Sequence, residues 1–149
     1  MKHLYLIVTI VVLALTSASA QHGPGMHFDQ HAATHHFLLS ANGGSIVIAG
    51  NDAADLTTLK MVREHLQDIA REFAHGQFDS PMITHGEVPA GVPVMIAKKS
   101  LINYRYEERP AGGVVLVSTT DEKALKAIHD FLRYQIIEHK TGDPLTVAP

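Results

Sequence analysis

Two glycine pairs constrain this chain more than anything else in it. Gly43-Gly44 and Gly112-Gly113 each follow a short apolar or aromatic run, and each precedes a second one, Ser45-Ile46-Val47-Ile48 or Val114-Val115-Leu116-Val117. Aligned on the glycines, the two stretches continue without a gap until Asp52 stands opposite Asp121. After three extra residues in the first copy, Leu59-Lys60 matches Leu125-Lys126, Leu66 matches Leu132, Glu72 matches Glu138 and Gly76 matches Gly142. The repeated order is strand, glycine pair, strand, acidic cap, helix and closing glycine, which predicts a duplicated ββα unit over residues 37–76 and 102–142. Leu59, Val62, Leu66, Ile69 and Phe73 step by three and four, as do Leu125, Ile128, Leu132 and Ile136, so each helix has one apolar stripe. Tightly joined strands pair antiparallel, and helices with one apolar stripe must cover a sheet. The expected fold is α+β, a four-stranded antiparallel sheet with two long helices on one face.

The spacing predicts a first hairpin over residues 37–40 and 45–49, turned at Asn42-Gly43 with positive φ. The first helix is expected from about Ala53 to Gly76, behind Asp52. Residues 77–93 contain Pro81, Pro89, Pro93, Gly86 and Gly91, a composition that argues against both helix and central strand. Their length, about 17 residues, is long for a connection and marks the segment as a candidate functional loop. Pro93 suits the start of a short helix over 94–99. Strands over 101–107 and 113–118 and a helix over 122–140, capped by Asp121, complete the second unit. The sheet face away from the helices, expected to carry some of Tyr104, Arg105 and Tyr106, is either solvated or covered by a second subunit, which makes a homodimer one candidate partner.

Ahead of this frame, Lys2 precedes the apolar run from Leu4 to Leu15, and Ala18-Ser19-Ala20 follows it. That is the pattern of a secretory signal peptide cleaved after Ala20, and the run is shorter than the roughly 20 residues a spanning helix needs. The expected product is periplasmic or secreted, has no membrane partner after cleavage, and runs from Gln21. It divides into a His-rich flexible segment (21–36), one α+β domain (37–143) and a short tail (144–149). The sequence has no cysteine, so disulfides and thiolate chemistry are excluded. Without Lys2 it carries 11 basic against 15 acidic residues, which disfavours nucleic acid as a partner.

Histidine is the unusual component, with 11 in the sequence. His22, His27, His31, His35 and His36 crowd the N-terminal segment, where neutral imidazoles on a flexible tract capture Cu(II), Ni(II) or Zn(II). If that tract were helical, His27, His31 and His35 would share a face; the alignment of His35 and His36 with Tyr104 and Arg105 favours a strand for those two. Met82 and His85 in the 77–93 loop form a ligand pair suited to copper, and His85 with Glu87 one suited to zinc. On the helices, His65, His129 and His139 lie on or beside the apolar stripes. A buried imidazole needs hydrogen-bond partners or a metal, so His129 is either a ligand or a structural residue bonded to a carbonyl, to Tyr106 or to Glu107. The metal-ligand candidates are therefore His27, His31, His35, His36, His65, Met82, His85, His129 and His139, with copper or zinc as the ion and buffering or delivery as the role.

Two other functions compete with that one. A small enzyme or small-molecule binder would use His85, His129, Tyr106 and Glu107 around a pocket, and an interaction module would use the sheet face without chemistry. No organic cofactor is indicated, because both glycine pairs lie between strands rather than between strand and helix, and no G-x-S-x-G elbow is present. The combination of Arg63-Glu64-His65-Leu66, Pro81-Met82-Ile83-Thr84-His85-Gly86, Tyr104-Arg105-Tyr106-Glu107, the run Ala127 to Arg133, His139 and Thr141-Gly142-Asp143 resembles a group of small exported bacterial proteins of unknown function. The resemblance covers about residues 37–143 and implies a bacterial periplasmic setting, with no activity attached.

Overall fold

Four eight-residue strands form one antiparallel sheet in the computed structural model, which describes residues 28–147. β1 (Ala33–Ser40) and β2 (Gly43–Gly50) make the first hairpin, β3 (Ile102–Arg109) and β4 (Gly112–Thr119) the second, and the sheet order is β1-β2-β4-β3. The α-helices among the described residues are α1 (Leu56–Ala74), α2 (Asp79–His85), α3 (Val92–Ala97) and α4 (Glu122–His139), so the fold is α+β. Among the described residues no helix is long and apolar enough to cross a membrane.

The two glycine pairs sit where strands and helices come closest. A Cβ on Gly43 would lie 1.9 Å from the Val117 carbonyl oxygen, and one on Gly112 would lie 2.1 Å from that of Ile48, at φ angles of 153° and 154°. Only glycine tolerates both the angle and the approach. The next glycines receive helix side chains: Leu132 of α4 stands over Gly44 and Leu66 of α1 over Gly113. Both leucines are fully buried.

Each hairpin is also pinned from a helix. Nε2 of His129 reaches the carbonyls of Ser40 (2.9 Å) and Gly43 (3.0 Å). Arg63 donates to the carbonyls of Arg109 (3.1 Å), Pro110 (3.1 Å) and Gly112 (3.4 Å).

Several expectations from the sequence need correction. The first helix starts at Leu56 rather than near Ala53, because the carboxylate of Asp52 accepts from Ala54 N in a local turn and Asp55 supplies the cap, accepting from Thr58 N. The 77–93 segment contains a helix after all. Pro81 is its third residue, inside the first turn, where a missing backbone N–H costs no helical hydrogen bond. Asn42 does not have positive φ. Among the described residues the N-terminal tract makes only a 3-10 turn, Gln30–Ala32, before β1 begins, so His31 and His35 share no helix face.

Tyr104 and Tyr106 pack against the core rather than facing outward, Tyr104 edge-on to Phe73 at 6.0 Å. The outward positions of β3 are those of Arg105, Glu107 and Arg109, joined by ion pairs.

Candidate functional site

Four elements each bring one histidine to the same cavity. β1 contributes His35, which pairs with Ile48 across the ladder. α1 contributes His65, three residues after Val62 and four before Ile69, hence on the buried stripe and only 7% exposed. α2 ends at His85, and Gly86 closes the helix in the left-handed conformation. α4 contributes His139, four residues beyond Gln135 and eight beyond Phe131 on one face. Ile46, Ile48, Ile69, Phe37 and Phe73 supply apolar walls around a cavity of about 50 Å³. That is room for an ion with a few waters, and far below the several hundred Å³ of a drug-sized pocket.

His139 is the centre of the cluster. Its ring lies 5.4 Å from that of His35 and 5.1 Å from that of His85, centre to centre. His85 Nε2 lies 3.1 Å from Oε1 of Gln135, and its ring meets Tyr134 edge-on. Tyr134 in turn donates to Glu87 (2.7 Å), which ties the chain after α2 to α4. Phe28 links the remaining rings, 5.6 Å from His65 and 6.1 Å from His35.

Burial sets the protonation of the cluster. It pushes the pKa of His35 down to about 4, with further lowering from the proximity of His139, His65 and His36. Burial also pushes His139 down to about 4, with His85 adding to the effect. Both are neutral imidazoles at neutral pH, with ring lone pairs retained. Nε2 of His35 and Nε2 of Gln135 are buried without hydrogen-bond partners. In a native fold such atoms are uncommon and call for a partner.

Of the residues picked from sequence, His35, His65, His85 and His139 come together. His35 reaches the cluster from strand β1, as its alignment with Tyr104 favoured. His129 stands apart, its Nε2 facing two hairpin carbonyls. Met82 is on α2 but is not among the cavity walls. His31 is exposed in the 3-10 turn, and His27 lies outside the described residues. His36 bonds through Nδ1 to Asp143 (2.9 Å), whose other oxygen accepts from Phe37 N (2.9 Å). Burial opposes the charge of that carboxyl, but hydrogen bonds from Thr141, Phe37 and His36 outweigh it and hold its pKa below the ordinary value.

Tyr106 and Glu107, grouped with His85 and His129 in the enzyme reading, are neighbours on β3 and therefore project from opposite faces of the sheet. Gln135 and Phe28 were not singled out from sequence. The i, i+4 series Phe131, Gln135, His139 was the available signal for Gln135.

Among the described residues no three His, Asp or Glu side chains already stand at the spacing an ion requires; the imidazoles approach in pairs that share His139. No family model, curated protein or solved structure matches the chain.

Proposed function

We propose that this protein binds one borderline transition-metal ion, Cu(II) or Zn(II), between His139 and the rings of His35 and His85, with His65 as the fourth candidate ligand. The observation that carries the reading is the spacing around His139. With a metal–nitrogen bond of about 2.1 Å and about 1.2 Å from nitrogen to ring centre, two imidazoles on a tetrahedral ion have centres roughly 5.3 Å apart. The observed separations are 5.4 and 5.1 Å. The His35 and His139 rings are stacked, with 19° between their planes, so closing the set requires them to turn toward one ion, and the low proton affinity of both removes the usual competitor for their lone pairs. The imidazole donor set lacks a thioether and suits Cu(II) or Zn(II). A carboxylate-free, half-open cavity fits buffering or delivery of the ion, and the leader-like N-terminus suggests a periplasmic or secreted setting for that role.

The test is a competition titration of the chain from Gln21 onward against a chromogenic chelator, with melting followed in parallel. The expected result is one ion per chain and, at a hundredfold excess over Kd, about 2.7 kcal/mol of added stability. His139→Ala should weaken binding by at least about a hundredfold, since it removes the ring both pairs share. Binding no tighter than about 10 μM with no change in melting would refute the proposal.

The same reading treats the scaffold as a duplicated ββα unit with two long helices on one sheet face. Its support is the equivalence of contacts at aligned positions. Arg63 aligns with His129, and each reaches the carbonyls of the other unit's hairpin. Leu66 over Gly113 matches Leu132 over Gly44, and Gly43 against Val117 matches Gly112 against Ile48.

A further inference from the structure

We infer that the ion in this cavity carries a small anionic co-ligand, hydroxide or a compact oxyanion or carboxylate, which accepts a hydrogen bond from the amide Nε2 of Gln135. The inference rests on the metal reading above and extends it from a closed cage to a site with one exchangeable position.

Two independent observations lead to it. The first is charge. Among the described residues the cavity walls include no Asp or Glu, and imidazole is an uncharged ligand. A doubly charged ion placed there keeps its whole charge among Ile46, Ile48, Phe37 and Phe73, and a buried charge without a counter-charge is strongly unfavourable. A singly charged anion drawn in with the ion halves the imbalance. The second is Gln135. It is 3% exposed, it lines the cavity, its Oε1 is engaged by His85, and its Nε2 has no partner. An amide N–H can only donate, so the group it lacks is an acceptor. The bond from His85 Nε2–H to Oε1 fixes both the amide orientation and the His85 tautomer, leaving Nδ1 of His85 as the ligating nitrogen. Gln135 thus acts twice, orienting one ligand and holding the co-ligand.

Azide is a suitable probe, because its complex with Cu(II) gives a charge-transfer absorption band. The chain loaded with one equivalent of Cu(II) is titrated with azide, beside the Gln135→Leu and Gln135→Glu variants. The expected wild-type Kd is below about 10 mM. With copper kept saturating, Gln135→Leu should weaken azide about tenfold, as for the loss of one hydrogen bond to the anion, and it should also weaken Cu(II) at least about tenfold because it frees the His85 ring. Gln135→Glu supplies the negative charge itself, so it should tighten Cu(II) and exclude azide. Copper bound normally with no azide band, or azide affinity equal in all three proteins, overturns the co-ligand and leaves the metal reading standing. Absence of bound copper overturns both.

Discussion

Acidification of the metal-free chain provides the most direct test of the histidine cluster. His35 and His139 have pKa values lowered from 6.5 to about 4. Above pH 6.5 folded and unfolded chains both hold these rings neutral, and stability is at its full value. As the pH falls from 6.5 toward 4, the unfolded chain takes up two protons that the folded chain refuses, so stability falls through that window. Each pKa unit is worth about 1.4 kcal/mol, which sets roughly 3 kcal/mol for His35. His139 stands nearer to solvent, and with screening it contributes about 2 kcal/mol. A total of about 5 kcal/mol in a domain of this size corresponds to a fall in Tm of about 15–20 °C. The carboxyls of Asp55, Asp121 and Asp143 have pKa values lowered from 3.8, so their contributions are lost only below the window. The assay is thermal melting in chelator between pH 7.5 and 4.5, with the His35→Phe/His139→Phe double variant as control. Phenylalanine preserves the ring packing against Phe28 and Phe37 and removes the titration. A change in wild-type Tm of less than about 5 °C, or an undiminished slope in the double variant, would show that burial does not govern these rings.

Further predictions concern the scaffold and the choice of ligands. Gly43→Ala and Gly112→Ala should each cost about 2–4 kcal/mol in urea unfolding, because each methyl meets a carbonyl oxygen across the sheet. His129→Ala should lower stability by about 2 kcal/mol by stripping a donor from the Ser40 and Gly43 carbonyls, while the metal stoichiometry stays at one. Met82→Leu should change metal affinity by less than about threefold, since Met82 does not line the cavity; a larger loss would place the thioether in the coordination shell.

The fold was legible where local pattern and tertiary need agree. The 3-4 stepping of Leu59 to Phe73 marked the buried stripe of α1 correctly, and Asp121 caps α4 as its position implied. The errors arose where composition was read without position. Pro81 counted against a helix in general, yet in a first turn it is tolerated, and buried Phe78 just before α2 anchors that turn. The site was legible in kind but not in membership. His65 and His139 were candidates because a polar ring on or beside an apolar stripe needs a partner, and His85 because its spacing from Met82 and Glu87 suits a ligand pair. His129 satisfied the same criterion and found its partner in backbone carbonyls, which no spacing rule reveals. His35 lies in β1, as its alignment with Tyr104 favoured, but its place at the cavity became visible only with the strand paired to Ile48.

The positions that align with this histidine cluster bear on whether it holds a ligand. In the alignment on the glycine pairs His35 falls opposite Tyr104, and along the helices His65 falls opposite Phe131 and His139 opposite Phe73. Those three partners form an aromatic cluster of their own, with Phe73 6.0 Å from Tyr104 and 5.8 Å from Phe131. On the proposed duplicated reading these positions can hold carbocyclic rings, and Phe73 and Phe131 bury no polar atom, although the Tyr104 hydroxyl is itself buried without a partner. Imidazoles at the aligned places impose the cost of burying ring nitrogens; His35 and His139 lower stability in acid, and Nε2 of His35 is left unpaired. Ring shape alone does not explain the exchange; the added property is the nitrogen lone pair. Proton and metal compete for that lone pair, and burial weakens the proton's hold, so the metal-loaded chain should begin to lose stability at a pH set by ion release rather than by protonation of the empty pocket. Superimposable acid melting curves with and without one equivalent of Cu(II) or Zn(II) would break the link between the buried rings and the ion.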